Sequence, residues 1–203
     1  DLGSANANQP QLILSAVFGG MAVGQLIAGP VSDAVGRKPL LLWCLLVYLL
    51  GAVVCLFANN MGTMLLGRII QGLGAAGPVV SCISIVRDKF HGRQMAKVMS
   101  LVMMIFIMAP VLAPALGQGL MLVAHWRIIF VFFVLYGLAV GAWVLISLEE
   151  TLPLAKRVPW RITTIWHAAK EVLGHQQTRS YAIAMGLVFG SFIGYLVSTQ
   201  QIF

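Results

Sequence analysis

The amino-acid sequence predicts an all-α integral membrane protein that crosses the bilayer six times. Of its 203 residues, 60% are hydrophobic and only 9% are charged, whereas soluble domains carry about 25% charged residues. A chain of this composition has too few charged side chains to cover a surface in contact with water. Each of six apolar runs is long enough to span a bilayer as a helix, which takes ~20 residues. In chain order they are Gln11–Val31, Leu40–Ala58, Met61–Val86, Met95–Val123, Ile128–Leu148 and Tyr181–Phe203.

The connections between the runs predict how the helices are oriented. Asn59–Asn60 and Ala124–Trp126 are short connections without Lys or Arg. Two basic residues follow the first span, four follow the third and five follow the fifth, which places 11 of the 13 Lys and Arg on one side. Because basic connections are retained in the cytoplasm, this side is predicted to be cytoplasmic. The positive net charge of +7 therefore reflects membrane topology, and no nucleic acid partner is expected.

The connection between the first two runs contains both acidic and basic residues. Asp33 lies at the C-terminal end of the first predicted helix, where the helix dipole disfavours a negative charge. It therefore needs a cation, and Arg37 lies four residues on, within reach of its carboxylate. Gly36 permits a tight reversal of the chain between them. Asp88 ends the third run on the same side and is predicted to join this charge cluster. The alternative is a solvated loop that only follows the charge rule for cytoplasmic connections.

The third run contains a glycine pattern that is also found in nucleotide-binding proteins. In the stretch RIIQGLGAAGP, residues Gly72, Gly74 and Gly77 match the G-x-G-x-x-G spacing of dinucleotide-binding loops. That motif requires a preceding strand in a parallel sheet, whereas these glycines lie inside a long predicted helix. Small residues four apart, such as Gly72 and Ala76, let two membrane helices approach closely. The stretch is therefore predicted to be a helix-contact surface and not a nucleotide site.

Arg68 and Gln71 belong to the same stretch and are polar residues within a predicted span. An arginine inside the bilayer costs about 2.5–3.5 kcal/mol on insertion scales, so it normally faces a partner or a water-filled cavity. Gln71 lies three residues on and shares its helix face. The functional interpretation is a cavity-facing cation tied to substrate or proton movement. The alternative is that Arg68 lies near the membrane surface and extends its side chain outward.

The fourth run is interrupted by Pro110 and Pro114, which are followed by Gly117 and Gly119. Proline is tolerated in membrane helices where neighbouring groups satisfy the freed carbonyl oxygens. Glycine lets another helix approach closely. The pattern favours a helix that bends or seals against a partner helix, and a kinked structural helix is the alternative.

Candidate residues for contact with a small apolar substrate are sparse. Met103 and Phe106 lie on one face of the fourth predicted helix, and flexible Met beside aromatic residues suits a promiscuous apolar pocket. Gln25 and Tyr195 are among the few polar side chains within the spans. Packing in the core or against lipid is an equally good interpretation for Met103 and Phe106, whereas Gln25 and Tyr195 are candidates to face a cavity.

The runs divide the chain into three segments. Residues 1–148 contain five spans, residues 181–203 contain the sixth, and residues 149–180 form the one long polar connection. Apolar residues recur at helical spacing in this connection, which predicts an amphipathic helix. It lies either along the membrane surface or on the cytoplasmic ends of the bundle. Its apolar residues are Ile162, Ile165, Trp166, Ala169, Val172 and Leu173.

The sequence contains no group of residues typical of an enzyme or a cofactor site. Cys44, Cys55 and Cys82 lie within apolar runs without a CxxC pattern, which favours small packing residues over a disulfide or a metal site. The sequence has no H-E-x-x-H, no GxSG and no paired carboxylates within a span. We therefore expect no catalytic residue, no metal and no cofactor.

Several motifs in this sequence are similar to those of the major facilitator superfamily. One stretch closely resembles the signature loop of that family, Gly29-Pro-Val-Ser-Asp33-Ala-Val-Gly36-Arg37-Lys38-Pro39. It lies between two predicted spans on the predicted cytoplasmic side, where the family has this loop. Arg68-x-x-Gln71-Gly72-x-Gly74 resembles the motif of the family's fourth helix. Residues 109–119 resemble the Pro/Gly antiporter motif of the fifth helix, in the form seen in bicyclomycin-resistance (Bcr/CflA) drug antiporters. Residues 126–130 and 149–153 resemble the sequences that flank the sixth helix.

This resemblance implies helices two to seven of a twelve-helix transporter in the bacterial inner membrane. Residues 1–148 then belong to the N-terminal half, 149–180 form a cytoplasmic linker, and 181–203 begin the C-terminal half. The first helix and the remaining helices are expected in sequence beyond these residues, and the first helix is expected to carry the proton-binding carboxylate. The complete protein is expected to be a monomer.

The resemblance also implies an activity, which is exchange of protons for drug-like compounds by alternating access. Import of a sugar, an organic acid or another nutrient is the alternative. Arg68 and Gln71 are then expected to take part in proton coupling. A conformational switch that holds the cytoplasmic side closed in one state is expected to comprise Gly29, Asp33, Gly36, Arg37, Lys38 and Asp88.

Overall fold

The predicted helices are present in the computed structural model of the protein, which describes residues 9–123, 125–158, 170 and 174–199. Within these residues the chain forms six α-helices and a short 3-10 turn at Leu154–Lys156. Five of the helices, α1 to α5, are long and apolar enough to cross a bilayer. The all-α membrane fold predicted from the sequence is confirmed. The helices are α1 (Gln9–Val35), α2 (Arg37–Leu56), α3 (Met61–Lys89), α4 (Gly92–Val123), α5 (Ile128–Ser147) and α6 (Gln176–Thr199).

Five helices, α1 to α4 and α6, extend beyond the apolar runs on the predicted cytoplasmic side. α1 continues from the predicted end at Val31 to Val35, and α3 runs past its predicted end to Lys89. α4 begins at Gly92 instead of the predicted Met95. The backbone hydrogen bonds of a helix continue after its side chains have become polar. Hydropathy alone therefore places these helix ends too far inside the membrane.

Two predicted segments lie partly outside the described residues. The amphipathic pattern between residues 162 and 173 is one of them, since only Lys170 of that stretch is described. The sixth predicted span continues to Phe203, whereas α6 is described as far as Thr199. The division of the chain at residues 148 and 180 therefore stays a prediction.

α3 is the central helix of the bundle and packs on both α1 and α2. A Cβ atom at Gly72 would collide with the carbonyl oxygen of Val17 on α1, and one at Gly74 would collide with the backbone nitrogen of Tyr48 on α2. Gly20 of α1 meets the backbone of α3 in the same way. In lipid, van der Waals contact between such close backbones is a main source of helix association. The helix-contact surface predicted for the glycine stretch is confirmed.

The remaining helices pack less extensively on this centre. α5 lies on α2, where Gly137 faces the side chain of Leu49. In α4 and α6 no residue whose burial is described is buried. Leu122 of α4, for example, is 89% exposed. In a membrane protein such apolar surfaces face lipid or further helices.

Short connections join the helices at the end of the bundle opposite the basic connections. Asn60 caps α3, because its Oδ1 accepts a hydrogen bond from the Thr63 backbone nitrogen at 2.8 Å. Arg127 donates from Nη2 to the Ala58 carbonyl oxygen at 3.4 Å and to the Asn59 Oδ1 at 3.3 Å. A cation at the end of α2 also complements the dipole of that helix. The two short connections at this end, between α2 and α3 and between α4 and α5, are thereby linked to each other.

Two neighbouring glycines of α1 provide a test of the packing between α1 and α3. Gly20→Ala places a methyl group against the α3 backbone, so we expect a loss of about 1–3 kcal/mol in folding free energy, as for other overpacked sites. Gly19→Ala is the matched control, because a Cβ atom at Gly19 has nothing within 4 Å. Thermal unfolding of the purified protein in detergent measures both variants. Equal melting temperatures would show that α1 and α3 do not meet at Gly20.

Candidate functional site

A buried arginine holds three helix ends together on the predicted cytoplasmic side. Arg37 is only 6% exposed. Its Nη1 lies 2.6 Å from Asp33 Oδ1 and donates to Ser32 Oγ at 2.8 Å, both at the end of α1. Its Nε lies 3.1 Å from Asp88 Oδ2 at the end of α3. Asp33, Arg37 and Asp88, which the sequence analysis expected to meet, are therefore brought together in one cluster.

Gly36 makes the tight reversal between α1 and α2 by adopting a backbone conformation that suits only glycine. Its φ angle is 113°, in the left-handed region. A Cβ atom at this position would also lie 2.5 Å from Glu150 Oε2. The turn therefore requires glycine both for its backbone angle and for the space that Glu150 occupies.

Glu150 is a member of this cluster that the sequence analysis missed. Its Oε1 accepts hydrogen bonds from the backbone nitrogens of Arg37 at 3.0 Å and Leu152 at 2.9 Å. Its Oε2 accepts one from the Lys38 backbone nitrogen at 3.2 Å. A carboxylate at this position satisfies free N–H groups of α2 and complements the positive end of its dipole. Glu150 thus caps a helix to which it is not adjacent in sequence.

A signal for this cap is present in the sequence. The residue before α2 is Gly36, which offers no side-chain oxygen, and no acidic residue lies in the first turn of α2. Helices usually begin after Ser, Thr, Asp or Asn. The missing cap therefore indicates that an acceptor comes from elsewhere, although it does not say which residue supplies it.

The segment after α5 lies across the cytoplasmic end of the bundle and completes the cluster. Thr151 Oγ1 donates to Asp88 Oδ2 at 3.4 Å. The Val158 backbone nitrogen donates to the Asp33 carbonyl oxygen at 3.0 Å, and Arg157 Nη2 lies 4.0 Å from Glu150 Oε2. Segment 149–158 is therefore attached to the ends of α1, α2 and α3 together.

Two other residues of the predicted switch occupy different surroundings. The Lys38 ammonium donates to the carbonyl oxygen of Leu145 at 3.0 Å, in the last turn of α5. Gly29 lies within α1, and a Cβ atom there has nothing within 4 Å. Lys38 therefore connects α2 to α5, while Gly29 makes no contact in the described structure that requires glycine.

A second polar site lies within the bundle, around Arg68. Arg68 Nη1 donates to Gln71 Oε1 at 3.2 Å, and its guanidinium carbon lies 4.8 Å from the centre of the Phe130 ring. Gln71 is 3% exposed. The Nε of Arg68 is buried and has no hydrogen-bond partner among the described residues. The charge is therefore held by an amide oxygen and an aromatic ring.

The position of Arg68 along the membrane follows from its neighbours. Arg68 is the eighth residue of the 29-residue helix α3, so it lies about 10 Å from the start of that helix. Phe130 is the third residue of α5. The guanidinium therefore lies toward the end of the bundle opposite the Arg37 cluster, enclosed by side chains, and not at the middle of the bundle.

The proline and glycine residues of α4 are not joined to either site. α4 continues as a helix through Pro110 and Pro114. A Cβ atom at Gly117 or Gly119 has nothing within 4 Å. These four residues therefore lie on a helix that leaves room for another helix to approach.

The proposed substrate residues are separated in the described part of the chain. Met103 and Phe106 are each 44% exposed on α4, and Gln25 is exposed on α1. The side chain of Tyr195 lies outside the described residues. Met103 and Phe106 thus share one face of α4, while Gln25 lies on a different helix.

Five helices that can cross a bilayer, with two charged sites among them, define part of a polytopic membrane protein. The sequence matches the Major Facilitator Superfamily over residues 2–203, and the chain belongs to this family of transporters. The resemblance seen in the sequence motifs is thereby confirmed. Membership of this family also places the chain among transporters and not among enzymes.

Three curated relatives of the chain come from bacteria. The chain is 36% identical over 202 residues to the uncharacterized MFS-type transporter YdgK of Bacillus subtilis, covering 98% of this chain and 50% of that protein. It is 34% identical over 181 residues to a bicyclomycin resistance protein homolog of Haemophilus influenzae, with 86% and 45% covered. It is 39% identical over 152 residues to the multidrug resistance protein MdtL of Escherichia coli, with 74% and 39% covered.

The chain spans about half the length, or less, of these curated relatives. Among solved structures, the human organic anion transporter MFSD10 (TETRAN) is similar, with a TM-score of 0.66 and 25% identity over 76% of this chain and 36% of that one. Its family and its bacterial relatives identify the chain as part of a multi-pass protein of the bacterial inner membrane.

Adjacent glutamates provide a test of the cap on α2. Glu150→Gln removes the negative charge that accepts hydrogen bonds from the first N–H groups of α2, so we expect a loss of about 0.5–2 kcal/mol in stability, as for other helix caps. Glu149→Gln is the matched control, since Glu149 is exposed and makes no such contact in the described structure. The melting temperature of the purified protein in detergent measures both. An equal fall in the melting temperature of the Glu149→Gln control would show that stability depends on the net charge of this segment and not on the cap.

Proposed function

We propose that the protein containing this chain exports drug-like compounds in exchange for protons by alternating access. Relatives named for bicyclomycin resistance and multidrug resistance support this substrate class. The observation that carries the proposal is Arg68, a cation held by Gln71 and Phe130 within a membrane-spanning helix. Because an arginine inside the bilayer is costly, its presence favours a role in moving charge over packing alone.

Proton coupling requires a group that takes up and releases a proton. The guanidinium of Arg68 stays charged, so it acts on a carboxylate, whose deprotonated form is favoured by a nearby cation. The acidic residues of the described part lie at the cytoplasmic ends of helices or beyond them. They are Asp33, Asp88, Glu149 and Glu150. In this proposal the carboxylate belongs to another part of the complete transporter.

In the same proposal the Arg37 cluster holds the cytoplasmic side closed. Asp33 is 56% exposed, so its pair with Arg37 contributes little on its own. The Arg37 side chain is only 7% exposed, and separating a buried charge from its partner typically costs about 3–5 kcal/mol. A movement that parts α2 from α3 has to break the pair with Asp88. Binding of a substrate or a proton has to offset that cost.

The substrate pocket in this proposal includes the exposed faces of α1 and α4. Met103 and Phe106 supply a flexible and an aromatic surface, and Gln25 supplies a polar group. Pro110 and Gly117 belong to the part of α4 that is proposed to seal against the other half of the transporter. The open space beside Gly117 supports this role.

Transport of an organic acid is the second candidate function. Arg68 provides a cation that suits an organic anion, and the structural relative MFSD10 is named an organic anion transporter. The charge of the transported compound separates the two candidates. An organic anion pairs with Arg68 itself, whereas a neutral or cationic drug does not.

Proton flux in proteoliposomes tests the proposed function. With the full-length transporter reconstituted and a pH gradient imposed, a transported drug is expected to accelerate proton movement in the direction opposite to its own. A pH-sensitive dye inside the vesicles measures this flux, and vesicles without protein are the control. Proton movement in the same direction as the substrate, or stimulation by organic acids only, would contradict drug antiport.

Arg68 variants test the proposed coupling site. In cells that express the full-length transporter, Arg68→Ala is expected to reduce drug resistance to the background level while membrane abundance stays near wild type. Arg68→Lys is expected to restore resistance only in part, because an ammonium keeps the charge but lacks the planar set of donors. Drug susceptibility and immunoblots of membranes measure both. Full resistance in the alanine variant would exclude a coupling role for Arg68.

A further inference from the structure

The turn between α3 and α4 carries a dense group of basic side chains. This basic turn consists of Arg87, Lys89, His91, Arg93 and Lys97, and all five are exposed. In the part of the chain that the structure describes, none of them forms an ion pair. The basic turn is therefore a patch of uncompensated positive charge.

The single acidic residue in this segment does not neutralise the patch. Asp88 lies between Arg87 and Lys89 in sequence, but its Oδ2 lies 3.1 Å from Arg37 Nε. The same oxygen accepts a hydrogen bond from Thr151 Oγ1 at 3.4 Å. Asp88 is thus committed to the Arg37 cluster, and its cationic neighbours remain free to bind an anion.

The basic turn also lies at the boundary of the membrane, since α3 and α4 are both membrane-spanning helices. Arg93 and Lys97 are one helical turn apart on one face of α4. The same face continues with Leu101 and Met104, which are 51% and 57% exposed. One helix face therefore presents two cations followed by exposed apolar side chains, in the order of a phospholipid headgroup and its acyl chains.

We propose that the basic turn binds an anionic phospholipid of the cytoplasmic leaflet. The phosphate group lies between Arg93, Lys97 and the end of α3, and an acyl chain lies along Leu101 and Met104. The basic residues attract the negatively charged headgroup by short-range electrostatics. The exposed apolar stripe formed by Leu101 and Met104 explains why the occupant is a lipid and not a soluble anion. The proposal rests on the orientation predicted from the basic connections and is independent of the transported substrate.

Native mass spectrometry of the purified full-length transporter tests this site. Phosphatidylglycerol and phosphatidylcholine with the same acyl chains are added to the protein in detergent, and bound lipids are counted. The wild-type protein is expected to retain phosphatidylglycerol in preference to phosphatidylcholine. The double variant Arg93→Gln/Lys97→Gln is expected to bind phosphatidylglycerol at least tenfold more weakly, since each basic residue near an anionic headgroup contributes roughly fivefold.

A matched variant controls for the loss of charge alone. Lys170→Gln/Arg179→Gln removes two exposed basic residues on the same predicted side of the membrane, outside the basic turn. Its affinity for phosphatidylglycerol is expected to stay within twofold of wild type. A loss equal to that of the first double variant would overturn the proposal, because the effect would then come from net charge and not from this site.

Further measurements keep the proposal testable if the double variant does not insert. The single variants Arg93→Gln and Lys97→Gln then take its place, each with an expected loss of about fivefold. Leu101→Ser/Met104→Ser is expected to weaken phosphatidylglycerol binding as well, since it removes the apolar stripe. Inorganic phosphate in excess is expected not to displace the lipid. Displacement by phosphate, or equal retention of both lipids by the wild-type protein, would overturn the proposal.

Discussion

The burial of one guanidinium group is the constraint on which the cytoplasmic end of the bundle depends. Arg37 is enclosed where α1 ends, α2 begins and α3 ends, so its donors have to find partners inside the protein. Ser32, Asp33 and Asp88 supply these partners. Because they come from two other helices, their positions relative to α2 are set together. The tight turn at Gly36 and the cap from Glu150 are both needed to bring Arg37 to this place.

Contact between backbones determines the packing of the three helices around this point. Lipid tails are as apolar as the side chains, so moving an apolar side chain from lipid into the protein lowers the free energy very little. Close approach of helices through small residues therefore takes the place of a hydrophobic core. Glycines of α3 meet α1 on one side and α2 on the other. The same stretch carries Arg68, so a sequence that looks like a nucleotide loop contains both a packing surface and a partly buried cation.

Features that depend on local sequence were predictable, and features that depend on distant contacts were not. The spans followed from apolar runs, and the approach of Asp33 to Arg37 followed from their separation of only four residues in sequence. Asp88 was expected in the cluster because topology places the ends of α1 and α3 on one side. Glu150 was missed, since its partners on α2 lie more than 100 residues away in sequence. The depth of Arg68 also required the structure, because hydropathy does not show which ring or amide a guanidinium meets.

The interlocked backbones of α1, α2 and α3 have a mechanical consequence. A helix cannot slide along a neighbour when glycine-sized gaps are already filled by carbonyl oxygens, so the three helices move as one stiff body as long as the Arg37–Asp88 pair stays closed. Asp88 and Arg68 lie twenty residues apart on α3, which corresponds to about 30 Å along its axis. A small rotation of this body, with its pivot between the two residues, displaces them in opposite directions. The protein thereby has a lever whose two arms end in charged groups.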